Sequence, residues 1–267
     1  MVRNIRLFIA YDGTNYLGFQ IQPKGPTIQG LLQEILTQVL GHKVKVRSAG
    51  RTDAGVHALC QVAHFLTTSD KSLETIYRAL NGLLPRDISV WQVEEVDLKF
   101  HPQRDALWKT YQYYIYNNPE RNPLLRLYSW WIPEKLDVEA MRACLPEISG
   151  TRDFASFRKA GTDIKTTVRT MYAVDLKWSP AIEGLLIFEI TGKGFLRYMV
   201  RNLVGALVEV GRGRLTVSEF KEIMEARDRR LAPPPAPPQG LILKHIEYKE
   251  IEVLGRYPQE RRTLVYF

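Results

Sequence analysis

The chain has 267 residues, 45% of them apolar and 25% charged, ordinary proportions for a folded protein that buries a core without staples. With only Cys60 and Cys144, a disulfide scaffold and a four-cysteine zinc site are excluded, and no apolar run reaches the roughly 18 residues of a membrane helix. An excess of 37 Lys and Arg over 29 Asp and Glu gives +8, which suggests a polyanionic partner without specifying one.

The opening Met1-Val2-Arg3-Asn4-Ile5-Arg6 lacks the pattern of a signal peptide, so a cytoplasmic location is expected. Asn4–Tyr11 reads as a strand closed by the turn pair Asp12-Gly13. Ile28, Leu31, Leu32, Ile35, Leu36, Val39 and Leu40 then fall on one face of a helix, with Thr27 as N-cap and Gly41 past its end. His42–Arg47 and Cys60–Leu66 are short β-rich runs. A second helix opens at Ser72 and stops at Pro85, and Ile88–Val96 is again a strand. The order β-α-β-β-α-β is the split βαβ arrangement.

The second half repeats that order loosely. Strands are predicted at Lys109–Asn117, Val168–Trp178, Leu185–Ile190 and Leu241–Tyr248, and helices at Asp137–Leu145, at Phe195–Val210 and from Val217. Ala232–Gly240 is too rich in proline for helix or central strand and should run extended on the surface. The expected fold is α+β: two split-βαβ subdomains, residues 1–105 and 106–248, whose mainly antiparallel sheets abut, followed by a tail over 249–267.

Of the net charge, residues 1–105 carry +2 and residues 106–267 carry +6. Lys193, Arg197, Arg201, Arg212 and Arg214 are accompanied only by Glu209. Arg152, Arg158, Lys159, Lys165 and Arg169 are accompanied only by Asp153 and Asp163. Solvated surface explains many single cations, but clusters this uneven also suit a binding face.

The segment that carries chemistry lies between the second and third strands: Ser48-Ala49-Gly50-Arg51-Thr52-Asp53-Ala54-Gly55-Val56-His57-Ala58. Two glycines permit backbone angles that other residues avoid, and loops held between strands are where reactive groups are usually mounted. Taken alone, Asp53 could be a turn residue bonding its own backbone. The string Gly50–His57, however, resembles the signature of the TruA family of tRNA pseudouridine synthases. The likeness extends to Tyr11–Gln20, Pro26–Gly30, Lys109–Tyr113, Asp153–Phe157 and Gly194–Gly205, in the same order and spacing.

That resemblance implies isomerisation of uridine to pseudouridine in the tRNA anticodon arm, at positions 38, 39 and 40, by a homodimer that uses no cofactor or metal. It implies that Asp53 is the essential aspartate, that Tyr111 stacks on the target base, that Arg201 is the ion-pair partner of Asp53, and that Arg51 contacts RNA. Lys193, Arg197, Arg158 and Arg104 are further candidate RNA contacts. Pro102-Gln103 stands where the family usually has Ala-Arg, and Arg104 is the residue that could compensate.

The chemistry suits these residue types. Breaking the N1–C1′ bond develops positive charge on the sugar, which a carboxylate can meet as nucleophile or electrostatic partner. Asp53 could attack C1′ or C6, or assist elimination at C2′; the residue itself is compatible with each. A fixed cation would keep it ionised in a water-poor pocket. Arg197 and Arg201, four apart, are predicted on one face of the helix over Phe195–Val210, as functional cations or as snorkelling surface arginines. A base in a paired stem must be flipped out at a cost of a few kcal/mol, and aromatic stacking at about 1–3 kcal/mol offsets part of it. On their strand, Tyr111, Tyr113 and Ile115 share a face, and Tyr113, Tyr114 and Tyr116 are expected to pack within the sheet. His57, Cys60 and His64 complete no zinc site of known spacing. The rival from another class is a non-catalytic RNA-binding protein with RRM-like sheets.

Overall fold

The computed structural model describes residues 1–161 and 164–258, so Asp163 and the last nine residues of the predicted tail lie outside the described residues. The chain divides into two units: Met1–Leu107 with the segment from Leu243 on, and Trp108–Ile242. The final strand predicted for the second half is thus shared, its first two residues counting with the second unit and the rest with the first.

In the first unit, β1 (Arg3–Tyr11) pairs antiparallel with both β3 (His57–Thr67) and β4 (Ile88–Val96), and the two-residue β2 (Arg47–Ser48) pairs with β3. α1 (Ile28–Leu40) begins as expected: the Thr27 side chain accepts from Gly30 N–H, and Gly41 ends the helix in the left-handed region. α2 (Leu73–Leu83) is capped by Ser72 and packs on β4. The β-rich run at His42–Arg47 forms almost no strand, because α1 takes its backbone. Gln33 Oε1 accepts from Val46 N–H at 3.0 Å, and Gln29 Nε2 donates to Val46 O at 2.8 Å.

The predicted tail contains a further strand, β11 (Val253–Tyr257), antiparallel to β4. Charge fixes it there. On β1, Ile5, Leu7 and Ile9 point to one face and Asn4, Arg6 and Phe8 to the other, yet both faces are buried. Arg6, 6% exposed, donates to Glu94 Oε2, and Arg256 of β11 donates to Glu94 Oε1 at 2.6 Å. The Arg6 guanidinium also lies over the rings of Phe8, Phe100 and Tyr248, 4.9–5.7 Å from their centroids. The charges are therefore paired and roofed by aromatic rings, a condition for burying them.

In the second unit the sheet order is β5 (Ala106–Asn117), β9 (Leu185–Gly192), β8 (Val168–Trp178) and β7 (Gly150–Asp153), all antiparallel, with β6 (Trp130–Ile132) parallel to β5. The helix predicted over Asp137–Leu145 is broken into α3 (Val138–Ala143) and α4 (Leu145–Ile148), with Pro146 in the first turn of α4. α5 (Met199–Gly211) is buried on nearly every side and packs against α3 and α6 (Val217–Ala226). β10 (Leu241–Tyr248) has the predicted bounds. The proline-rich segment before it departs from the expected extended surface run: Pro238–Gly240 is a 3-10 turn, and Ala232, Ala236 and Gly240 are buried. Ala236 is 1% exposed, Tyr113 Oη donates to Pro237 O at 2.7 Å, and a Cβ on Gly205 of α5 would meet Pro234 O at 2.2 Å.

Replacing Glu94 by Ala leaves Arg6 a buried cation without its carboxylate. We expect a loss of about 3–5 kcal/mol, read as a lower midpoint in denaturant unfolding; an unchanged midpoint would show that the pair contributes nothing.

Candidate active site

The Gly50–His57 segment leaves β2 and enters β3 as a tight loop. Val56 N–H donates to Asp53 O at 3.1 Å, and Gly55 sits at φ 75°. The loop is held from inside the first unit by the residues that follow β1. Phe19 N–H donates to Thr52 O at 3.1 Å, Gly55 N–H to Tyr16 O at 3.3 Å, and Gly13 N–H to His57 Nδ1 at 3.0 Å. Tyr11 Oη and Thr52 Oγ1 are 2.7 Å apart, and Gln61 Nε2 donates to Gly50 O at 2.9 Å. Burial raises the Tyr11 phenol to about 12, so it stays neutral and serves as a fixed hydrogen-bonding post. The result is a half-buried Asp53 next to an exposed Arg51 on a loop tied at most of its backbone.

Two glycines make this contact possible. A Cβ on Gly13 would come within 2.1 Å of Val56 O. One on Gly18, at φ 92°, would come within 2.6 Å of Thr52 O and 3.0 Å of Asp53 C. Both collisions are with backbone, which cannot rotate away.

The second unit holds the other candidates. Tyr111 lies on β5 opposite Ile190, buried, its ring edge-on to Phe195 at 4.9 Å and 76°. Tyr113 and Tyr116 are buried in the sheet, and Tyr114 Oη donates to Gln112 Oε1 at 2.9 Å. Lys109, two residues before Tyr111 and on its face, is buried, and burial lowers its ammonium to about 8. The sequence carries a signal for Lys109, the period of two extended back from Tyr111.

The helix predicted over Phe195–Val210 begins four residues later, at Met199. Tyr198 before it is in the left-handed region, at φ 66°. Arg197 is therefore in the preceding loop, exposed, and shares no helix face with Arg201. Arg201 is no snorkelling arginine: it is 9% exposed, and its Nε donates to Ala236 O at 2.7 Å. The two are nonetheless brought together, by an aromatic ring. The Tyr198 ring centroid is 4.8 Å from Arg201 Cζ, 5.6 Å from Arg197 Cζ and 5.2 Å from Lys159 Nζ. Arg158 is half-buried beside Lys159, and its carbonyl accepts from Asn202 Nδ2 at 3.3 Å. Lys193 is exposed in the loop after β9, its N–H donating to Thr170 O at 3.2 Å. Arg104 belongs to the first unit. Its Nε donates to Asp105 Oδ1 at 2.8 Å, a bond that lowers the Asp105 carboxyl.

His64 and Cys60 are buried on β3, with His64 Nδ1 2.8 Å from Asn4 Oδ1. Among the described residues, no group of three or more His, Cys, Asp or Glu is placed to hold a metal ion. No helix among them is long and apolar enough to cross a membrane.

Gly18→Ala should cost about 2 kcal/mol or more, since a left-handed φ and a backbone collision act together. The expected outcome is a lower thermal midpoint together with loss of catalytic activity; a variant with native midpoint and native activity would show that the close approach is dispensable.

The comparisons with known proteins agree with this arrangement of motifs. A family model described as tRNA pseudouridine synthase matches residues 7–103 and 146–249. The "tRNA pseudouridine synthase A" of Citrifermentans bemidjiense is 45% identical over 251 residues, covering 93% of this chain and 99% of that protein. The protein of the same name from an Exiguobacterium species is 41% identical over 251 residues, covering 94% of this chain and 100% of the relative. Among solved structures, a chain of the "Crystal Structure of a Cbf5-Nop10-Gar1 Complex" aligns with 76% of this chain and 45% of its own length, at 14% identity and a TM-score of 0.35, a likeness too slight to bear on the site. Matched by the family model over most of its length and aligned over more than nine-tenths of it with relatives covered almost in full, the chain belongs to the TruA family of tRNA pseudouridine synthases, isomerases that act on uridine.

Proposed function

We propose that this isomerase acts on uridines 38, 39 and 40 in the tRNA anticodon arm, with Asp53 as its essential carboxylate, in the cytoplasm and as a homodimer. The observation that carries the reading is the Gly50–His57 loop: a family signature whose aspartate is held half-buried by backbone contacts on the segment after β1. A protein that only bound RNA would gain nothing from a carboxylate set to face phosphates. An enzyme that breaks a glycosidic bond needs one.

The reaction is an isomerisation, and its atoms balance without a co-reactant. The N1–C1′ bond breaks, the uracil turns, a C5–C1′ bond forms, C5 loses its proton and N1 gains one. Three routes suit Asp53: at C1′ it meets the positive charge that develops on the sugar, at C6 it adds to the uracil ring and is later expelled, and at C2′ it takes a proton to assist elimination. Tyr111 stacks on the flipped base, and its phenol is a candidate acceptor for the C5 proton. The edge-on contact with Phe195 supports this by fixing the ring before the base arrives. Arg201 supplies a fixed cation, and its burial and backbone bond support that role. Arg51, exposed beside Asp53, suits a contact with the displaced nucleotide or its phosphate. Lys193, Arg197, Arg158 and Arg104 would add salt-sensitive contacts with the tRNA backbone.

Mapping of pseudouridine in unmodified tRNA after incubation with the protein should place the product in the anticodon arm; modification confined to another arm would overturn the substrate assignment. Asp53→Ala should bind tRNA within about threefold of the native protein yet slow tritium release from 5-³H-uridine tRNA by at least about 10³-fold. Turnover by that variant at the native rate would return the protein to the class of RNA binders. Tyr111→Ala removes a stacking contact worth about 1–3 kcal/mol, so the same assay should slow by about 5- to 150-fold with the fold retained. A native rate would refute the stacking role.

A further inference from the structure

We infer that Tyr198 is a positioning residue for Arg201, an inference that rests on the reading of Arg201 as the cation used in the reaction. Three observations meet at this tyrosine. Its ring faces three cations, with Arg201 the nearest at 4.8 Å from Cζ to centroid. Its backbone is in a conformation that a side chain makes unfavourable: φ is 66° at the residue before α5, where glycine would be at ease. Tyr198 has no side-chain capping bond to its helix, so capping does not account for it.

The geometry describes a clamp. On one side the Arg201 guanidinium is fixed by Nε–H donation to Ala236 O at 2.7 Å, and the return bond from Ala236 N–H to Arg201 O, at 2.9 Å, locks the same two residues. The proline-rich segment that supplies this carbonyl is itself pinned to β5 through Tyr113. On another side the guanidinium meets the electron-rich face of Tyr198. An arginine in the first turn of a helix works against the macrodipole, and Arg201 also shares the ring with Arg197 and Lys159. Each is within 6 Å of one centroid, which concentrates like charge around the ring, and such charges repel. The quadrupole of one ring offsets part of that repulsion and limits where the Arg201 fork can point. The Lys159 loop is held to the same place, because Lys159 N–H donates to Arg197 O at 2.8 Å and Asn202 Nδ2 donates to Phe157 O at 2.7 Å.

A tyrosine kept only for structure and one kept for its ring predict opposite results at this position. Glycine is the residue best suited to φ 66°, and it is acceptable at a helix N-cap. Tyr198→Gly therefore removes the ring while relieving the backbone. The expected outcome is a thermal midpoint at or above native and tRNA affinity within about threefold. The single-turnover rate of tritium release, measured with saturating tRNA, should be slower by about 2- to 30-fold, the range set by one cation–π contact. Tyr198→Phe keeps the ring and should restore the rate to within about twofold. A native rate for Tyr198→Gly overturns the inference. So does a slow rate accompanied by a fallen midpoint or by an equal loss of affinity, and so does a Phe variant as slow as the Gly variant. Arg201→Gln in the same assay separates the two levels: a native rate there removes the reading of Arg201 itself, whereas a slow Arg201→Gln beside a fast Tyr198→Gly removes only the role of Tyr198.

Discussion

At two points between the segment that follows β1 and the backbone of Thr52–Val56, no side chain fits. Gly13 and Gly18 supply the two places where main chain must lie directly on main chain, and one of them must also take a left-handed φ. Everything proposed for Asp53 depends on that approach. The loop buries Thr52, Val56 and His57 and exposes Arg51 and Ala54, and hydrogen bonds from Gly13, Phe19 and Gly55 and the Tyr11–Thr52 contact hold its backbone. The backbone of Asp53 is thereby held in place, and the residue stays half-buried. Preorganisation of that kind is what electrostatic catalysis needs, because no reorganisation is left to be done at the moment of reaction.

Behind the loop, the first unit buries charge as well as apolar surface. Glu94 is reached by arginines from two strands, and aromatic rings cover one of them. Such a pair is weak evidence for added stability, since desolvation offsets most of its attraction. Its effect here is placement. Arg256 lies opposite Glu94 in the β11–β4 register, so the ion pair sets where the last strand pairs, and β11 covers backbone groups along β4 that would otherwise form an exposed edge.

The second unit meets a different constraint. α5 is buried almost all round, yet its start gathers arginine and lysine. A backbone carbonyl from the proline-rich segment and one aromatic ring are among the contacts of those cations. Proline suits that segment because it fixes an extended path and donates no N–H, which leaves carbonyls such as Ala236 O and Pro237 O to accept from Arg201 and Tyr113.

The sequence by itself determined the regular elements wherever local signals agreed. α1 with its Thr27 and Gly41 ends, β4, β8 and β10 stand where periodicity and turn residues put them. It also determined the family, because Gly50–His57 and the later motifs are strings rather than patterns of hydrophobicity. Tertiary structure decided what depends on partners distant in the chain. His42–Val46 has the composition of a strand, but glutamines from α1 take the backbone of Val46. β7 is short and polar, β11 is short and lies beyond the last predicted element, and they form by pairing with β8 and β4. Arg201 reads from the sequence as a functional cation or a snorkelling surface arginine, and its burial and its carbonyl partner, thirty-five residues away, decide against the second. The late start of α5 turns on a positive φ at a tyrosine, a conformation that no local propensity favours and that only the surrounding contacts can hold in place.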